Sequence, residues 1–257
     1  MSVLQFVLLA MAGVGGGLIG SIAGLASLVS YPALLATGMS PLTANVTNTV
    51  ALVLNGVGSV SASRPELIGQ RGRLVRLCLA GLLGGVTGAV LLLLTPPAAF
   101  ERLVPFLIAA ASLAILVQRP AREVAAEGAV DQRPHPDRAS WGLVLGTFAI
   151  SIYGGYFGAA AGVLMLAMLL LSTGEGVPRG NALKNVVLGV ANAVAAVGYA
   201  LFADVAWLAA LPLALGFLVG GRLGPAIVRR VPQTALRRGI ALAGLGLAVH
   251  LGIDAFG

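Results

Sequence analysis

The chain has 257 residues, of which 58% are hydrophobic and only 10% charged, with a mean hydropathy of +0.97. So little charge cannot cover a water-soluble domain of this size, which points to a bilayer as the solvent. The net charge of +7 comes from 16 Lys+Arg against 9 Asp+Glu, but the arginines cluster in loops between apolar runs with no aromatic platform beside them. That is the pattern of membrane topology signals, not of nucleic-acid binding.

Residues 3–37 contain no charged group and no polar turn. There is no basic n-region and the apolar stretch outruns a normal h-region, so it reads as a first membrane segment and not as a signal peptide. Two full spans would need about 40 residues. With Gly13, Gly15, Gly16, Gly17, Gly20 and Gly24 crowding the middle, the expectation is two segments, 3–20 and 21–37, forming a broken or re-entrant helix pair across 13–37. Irregular backbone at membrane depth survives only beneath protein or a water-filled cavity. Further apolar segments follow at 41–62, 74–95 and 100–118.

The stretch 119–140 carries Arg119, Arg122, Glu123, Glu127, Asp131, Arg133, Asp137 and Arg138 with Pro134 and Pro136, and reads as a solvated linker. Five more apolar segments complete the chain, at 141–156, 157–173, 181–203, 205–227 and 236–255, with a second broken pair expected across 154–174. Cys78 is the single cysteine, so no intrachain disulfide forms, and His135 and His250 lie far apart. No metal site or cofactor is expected.

The two halves repeat each other. Asn45 matches Asn181, Gly84 matches Gly220, Gly85 matches Gly221, Gly88 matches Gly224 and Pro96 matches Pro232, each pair 136 residues apart. Upstream the offset is 134, pairing Gly20 with Gly154 and Gly24 with Gly158, so about two residues are inserted near Ser172–Thr173. This divides the chain into an N-terminal membrane repeat, 1–118, a cytoplasmic linker, 119–140, and a C-terminal membrane repeat, 141–257. The charges of equivalent loops are reversed. Arg64, Arg71, Arg73 and Arg76 in the first half face only Asp204 in the second, whereas Glu101 and Arg102 correspond to Arg229, Arg230, Arg237 and Arg238. Positive-inside logic places 64–76, 119–140 and 228–238 in the cytoplasm and both termini on the outer side, so the repeats are expected to be inverted.

At 100° per residue, Asn45, Asn48, Thr49, Asn55 and Ser59 share an arc of about 120°. Asn181, Lys184, Asn185, Asn192 and Tyr199 fall in nearly the same arc of the matching helix. Two such stripes on symmetry-related helices are expected to line a pathway near the midplane, although asparagines also glue membrane helices together. Lys184 is the only lysine and sits about one turn inside an apolar segment, where a charge is costly. Three readings stand for it: contact with an anion, snorkelling to the interface, or local pairing. Glu175 and Arg179 read as loop residues. No span carries a midmembrane carboxylate, since Asp254 lies at the end of the last one. No phosphate-binding loop, nucleophile elbow or carboxylate pair occurs, so neither ATP hydrolysis nor an intramembrane enzyme is expected.

The stretch Gly15–Gly24 followed by Tyr31-Pro32 resembles the first half of the TauE/SafE sulfite exporter family, also called the toluene sulfonate uptake permeases. So do Gly154-Gly155-Tyr156-Phe157-Gly158, Asn181 through Asn185, and Gly216 through Arg222 followed by Arg229-Arg230-Val231-Pro232. The resemblance covers nearly the whole chain. It implies transport of a sulfur-containing anion, such as sulfite, thiosulfate, a sulfonate or sulfoacetate, across a bacterial-type inner membrane. The chain departs from the family at Gly24-Leu25-Ala26-Ser27 and Gly158-Ala159-Ala160-Ala161, where relatives are richer in glycine, and this bears on pocket shape.

The combined expectation is an all-α integral membrane protein with two inverted repeats, acting as a secondary transporter by alternating access. Its substrate-binding residues are Asn45, Asn48, Thr49, Asn55, Asn181, Lys184, Asn185 and Asn192. Its partners are a small anion, the bilayer and a coupling ion, proton or sodium. The alternative is a passive anion channel or an accessory membrane scaffold.

Overall fold

A computed structural model describes residues 1–119, 121, 123–126, 140–227 and 233–256. Most of the charged stretch 119–140 and residues 228–232 of the arginine loop, Pro232 among them, therefore lie outside the described residues.

The first half contains α1 (Val3–Ala23), α2 (Ser27–Leu35), α3 (Pro41–Ala62), a 3-10 turn at Pro65–Leu67, α4 (Arg71–Leu94) and α5 (Pro97–Val117). The second contains α6 (Trp141–Tyr156), α7 (Ala161–Thr173), α8 (Val177–Phe202), α9 (Trp207–Ile227) and α10 (Gln233–Phe256). The helix starts are written locally. Ser2, Ser40 and Ser140 cap α1, α3 and α6 through their hydroxyls, and prolines occupy the first turns of α3, α5 and α8, where a missing N–H costs nothing.

Among the described residues, six helices are long and apolar enough to cross a membrane: α1, α4, α5, α8, and the parts of α9 and α10 at Trp207–Gly224 and Arg238–Ala255. Their outward faces carry Leu4, Leu79, Leu83, Leu208, Leu211 and Ile253, all exposed, which suits a hydrocarbon solvent. This is an all-α, multi-pass membrane protein. By contrast α2 and α7, with 9 and 13 residues, reach only about 14 and 20 Å at 1.5 Å per residue, short of the hydrocarbon core.

The helices pack across the halves. α1 lies along α9, and α4 lies along α6; α3 and α8 pack on each other, α3 also on α9 and α8 also on α4, while α5 pairs with α10. Exchanging the first five helices for the last five leaves this set of neighbours unchanged.

The glycines between 13 and 20 do not break α1, contrary to the expectation of a disrupted backbone from residue 13. They make a seam for α9: a Cβ on Gly17 would lie 2.8 Å from the Phe217 carbonyl oxygen, so only glycine lets the axes approach this closely. Gly84 serves α4 against α6 in the same way, 2.5 Å from the Phe148 carbonyl oxygen. The discontinuities come later, at residues 24–26 and 157–160.

Candidate functional site

Each discontinuity is made by a backbone turn that the local sequence supports. α1 ends at Gly24, which adopts φ +75°, and its N–H bonds the Gly20 carbonyl at 2.9 Å. α6 ends at Phe157, followed by Gly158 at φ +79° and Ala160 at φ +61°, the latter a left-handed conformation that alanine adopts at a cost. The Tyr153 hydroxyl ties this second turn by donating to the Ala159 carbonyl at 2.7 Å. The two turns touch: a Cβ on Gly24 would overlap the Gly162 backbone, and one on Gly162 would overlap Gly24.

Beside this contact lies a cavity of about 60 Å³, roughly the volume of two water molecules. It is lined by the turn residues Gly20, Gly24, Gly154 and Gly158, and by the opening residues of the short helices, Ala26 and Ser27 before and in α2 and Ala161 and Gly162 in α7. Both short helices thus present their N-termini, the positive ends of their dipoles, to one space. α3 contributes Thr49, Asn55 and Ser59, and α8 contributes Lys184, Asn185 and Asn192. Lys184 is the one charged side chain among these lining residues.

Lys184 does not reach for a membrane surface. It is 1% exposed, and its ammonium donates to the Gly20 carbonyl at 3.1 Å and the Ser21 carbonyl at 3.5 Å. Snorkelling is therefore set aside. Asn181 and Asn185 donate to the same Ser21 carbonyl at 2.7 and 3.3 Å. Three side chains of α8 thus converge on the Ser21 carbonyl, which the end of α1 would otherwise leave orphaned, and Lys184 adds a second donor to the Gly20 carbonyl.

Asn45, Asn48 and Asn181 are not among the cavity-lining residues. Asn45 donates to the Tyr156 carbonyl at 2.9 Å, holding the end of α6. Asn48 donates to the Ser27 hydroxyl at 3.2 Å and accepts from that of Ser30 at 2.6 Å, holding α2 against α3. The Tyr199 hydroxyl donates to the Gly155 carbonyl. Thr49 donates to the Asn45 carbonyl at 3.0 Å along its own helix. Among the described residues, the oxygens Asn45 Oδ1, Asn55 Oδ1, Ser59 Oγ and Asn181 Oδ1 are buried without a hydrogen-bond partner.

Sequence reasoning missed two features. The partners of the asparagines are mostly backbone carbonyls, which have no sequence signature; only the glycine pair Gly24 and Gly158 hinted where the helix ends lie. It also left Arg73 among the loop arginines and Glu175 in a loop without a partner. Arg73 is 1% exposed and pairs with Glu175 at 3.2 Å, while Arg179 holds the other Glu175 oxygen at 3.1 Å and donates to the Ile68 carbonyl at 2.9 Å. This network ties the start of α4 to the turn before α8.

Residues 9–251 match the family described as "Sulfite exporter TauE/SafE". The chain is also 28% identical over 225 residues to a "Probable membrane transporter protein" of Haemophilus influenzae, covering 85% of this chain and 83% of that one. It is 24% identical over 245 residues to "Probable membrane transporter protein YfcA" of Escherichia coli K12, covering 94% and 87%. To "Probable membrane transporter protein ORF9" of a Sinorhizobium species it is 27% identical over 240 residues, covering 93% and 88%. No solved structure matches it significantly.

Proposed function

The chain belongs to the sulfite exporter TauE/SafE family of membrane transporters, and from that premise we propose that it moves a small sulfur-containing anion across the inner membrane by alternating access. The observation that carries this reading is the convergence of two short-helix N-termini and one buried ammonium on a single cavity. Backbone N–H groups at a helix start, together with its dipole, favour an anion. Two of the three ammonium protons lie toward carbonyls, and the third is free to serve the cavity. Thr49, Asn55, Asn185 and Asn192 add neutral polar contacts. A volume of about 60 Å³ suits sulfite or another compact oxyanion better than a ring-bearing sulfonate. In the same reading Asn45, Asn48 and Asn181 act one step back, fixing the helix ends that form the site.

The halves 1–118 and 141–257 are inverted repeats in this proposal, with 119–140 as a cytoplasmic linker and both termini periplasmic. The exchange-symmetric packing of the helices supports it, as does the reversed arginine bias of equivalent loops. The seamed pairs α1/α9 and α4/α6 are the rigid bodies that rock about the site, as inverted-repeat transporters do.

Counterflow tests the reading against a passive channel or an accessory scaffold. Proteoliposomes loaded with unlabelled sulfite should accumulate external radiolabelled sulfite transiently above equilibrium. Simple equilibration identifies a channel, and no flux identifies a scaffold. Cysteine labelling in a Cys78→Ala background tests the orientation: positions 68 and 130 should react from the same face, the cytoplasmic one.

A further inference from the structure

The last carbonyls of α1 and α6 hold equivalent places, Gly20 with Gly154 and Ser21 with Gly155. At α1, the Lys184 Nζ occupies the carbonyl end of the helix, donating to both carbonyls. The residue equivalent to Lys184, 136 positions earlier, is Asn48, and it is engaged instead by Ser27 and Ser30 of α2. Only neutral donors reach the end of α6 among the described residues: Asn45 at the Tyr156 carbonyl and Tyr199 at the Gly155 carbonyl.

Two further details make this helix end rich in acceptors. The Gly158 N–H passes over the Gly154 carbonyl, its regular α-helical partner, and bonds the Tyr153 carbonyl at 3.0 Å. Asn45 is 1% exposed, and its Oδ1 is buried without a partner. That oxygen belongs to the same planar amide whose Nδ2 is fixed on Tyr156, so it stays beside the same turn. Asn181 Oδ1 is likewise unpartnered at the α1 end, but there the Lys184 Nζ already sits on the helix-end carbonyls.

We propose that the C-terminal end of α6 binds a sodium ion through the Gly154 and Gly155 carbonyls and Asn45 Oδ1. A hard cation takes oxygen ligands, and the ends of interrupted helices are places where transporters hold sodium. The ligands are all neutral, which suits a monovalent ion: a divalent one would bring a second charge with no carboxylate to offset it. Lys184 at α1 is then the tethered counterpart of an exchangeable cation at α6. The coupling role of the ion rests on the transporter reading above; the binding itself does not.

Equilibrium binding of ²²Na⁺ to the purified full-length protein in detergent, without any anion, tests the site. The expected result is saturable binding, competed by unlabelled sodium but not by equal potassium or choline. Asn45→Ala should weaken it by about 10- to 100-fold, the scale of losing one supporting group at a metal site, while Asn45→Asp, which keeps the oxygen, should still bind. Asn48→Lys should abolish binding in a protein that stays monodisperse, by placing an ammonium where α1 has one. No saturable sodium binding in the wild type, or binding unchanged in both Asn45→Ala and Asn48→Lys, overturns the proposal. Saturable binding in a protein that fails counterflow would sustain the site and overturn only the transport reading.

Discussion

The two helix discontinuities share a backbone plan but not a chemistry. At residues 24–26, α1 delivers its last carbonyls to an ammonium and two amides of α8; at residues 157–160, α6 delivers its own to one amide of α3 and one phenol of α8. The pattern extends outward. Gly38 and Gly174, 136 positions apart, both adopt positive φ, yet Glu175 beyond the second is matched by Met39 beyond the first. The partner of Glu175, Arg73, is matched by the buried Ala209. A buried ion pair at one place is matched in sequence by two apolar residues at the other. Two backbone turns of the same form are therefore closed by side chains that differ in charge.

The largest expected effect separates the turns by what surrounds them. Gly24 and Gly158 have nearly the same φ, +75° and +79°. A Cβ at Gly24 collides with the Gly162 backbone, which cannot rotate away. Gly24→Ala should cost more than about 4 kcal/mol, and the purified protein should lose its monodisperse elution peak. Gly15→Ala is the control, since nothing lies within 4 Å of a Cβ there. A Gly24→Ala protein as stable as Gly15→Ala would deny that the two turns touch.

The ion pair comes next. Arg73→Met strands Glu175 with only the half-exposed Arg179 and should cost about 3 kcal/mol, the scale of an uncompensated buried charge. Adding Glu175→Met, which copies Met39 at the matching place, should recover much of that in thermal unfolding. A double variant no more stable than the single one would show that the charges are not acting as a pair.

The smallest effect is expected at Gly158→Ala. There the substituted residue bears the left-handed strain of about 1–2 kcal/mol, and its Cβ meets one carbonyl oxygen, that of Gly154, at 2.9 Å. The protein should fold with a lowered unfolding midpoint. A loss equal to that of Gly24→Ala would erase the distinction between the two turns.

Much of this architecture was legible because it depends on periodicity and composition. The apolar runs located the ten helices named above, nine of them within about four residues and α2 six residues early, while the described linker residues 121 and 123–126 are helical as well. The seam glycines were misread because glycine serves helix breaks and close helix crossings equally well; only the neighbour, α9, tells Gly17 from Gly24. The division of labour within the stripes was hidden for another reason. Asn45, Asn48 and Asn181 spend their amides on carbonyls and serines brought in by the chain's path, Asn55 and Asn192 line the cavity, and Asn185 does both, yet all share one helical arc. Arg73 resembled its loop neighbours because burial is set by α8, more than 100 residues away.

The central claim is that the buried ammonium between the two turns recognises the anion, and sulfite affinity measures this most directly. Wild type, Lys184→Gln and Arg71→Gln should be compared in one detergent, with folding checked by elution. Arg71 is exposed at the start of α4 and serves as the charge-matched control. Lys184→Gln should bind sulfite about 10- to 100-fold more weakly, as expected for losing a hydrogen bond from a charged donor, while Arg71→Gln should bind as wild type does. Equal affinity in all three proteins would contradict the claim and leave Lys184 as a cap for α1 alone.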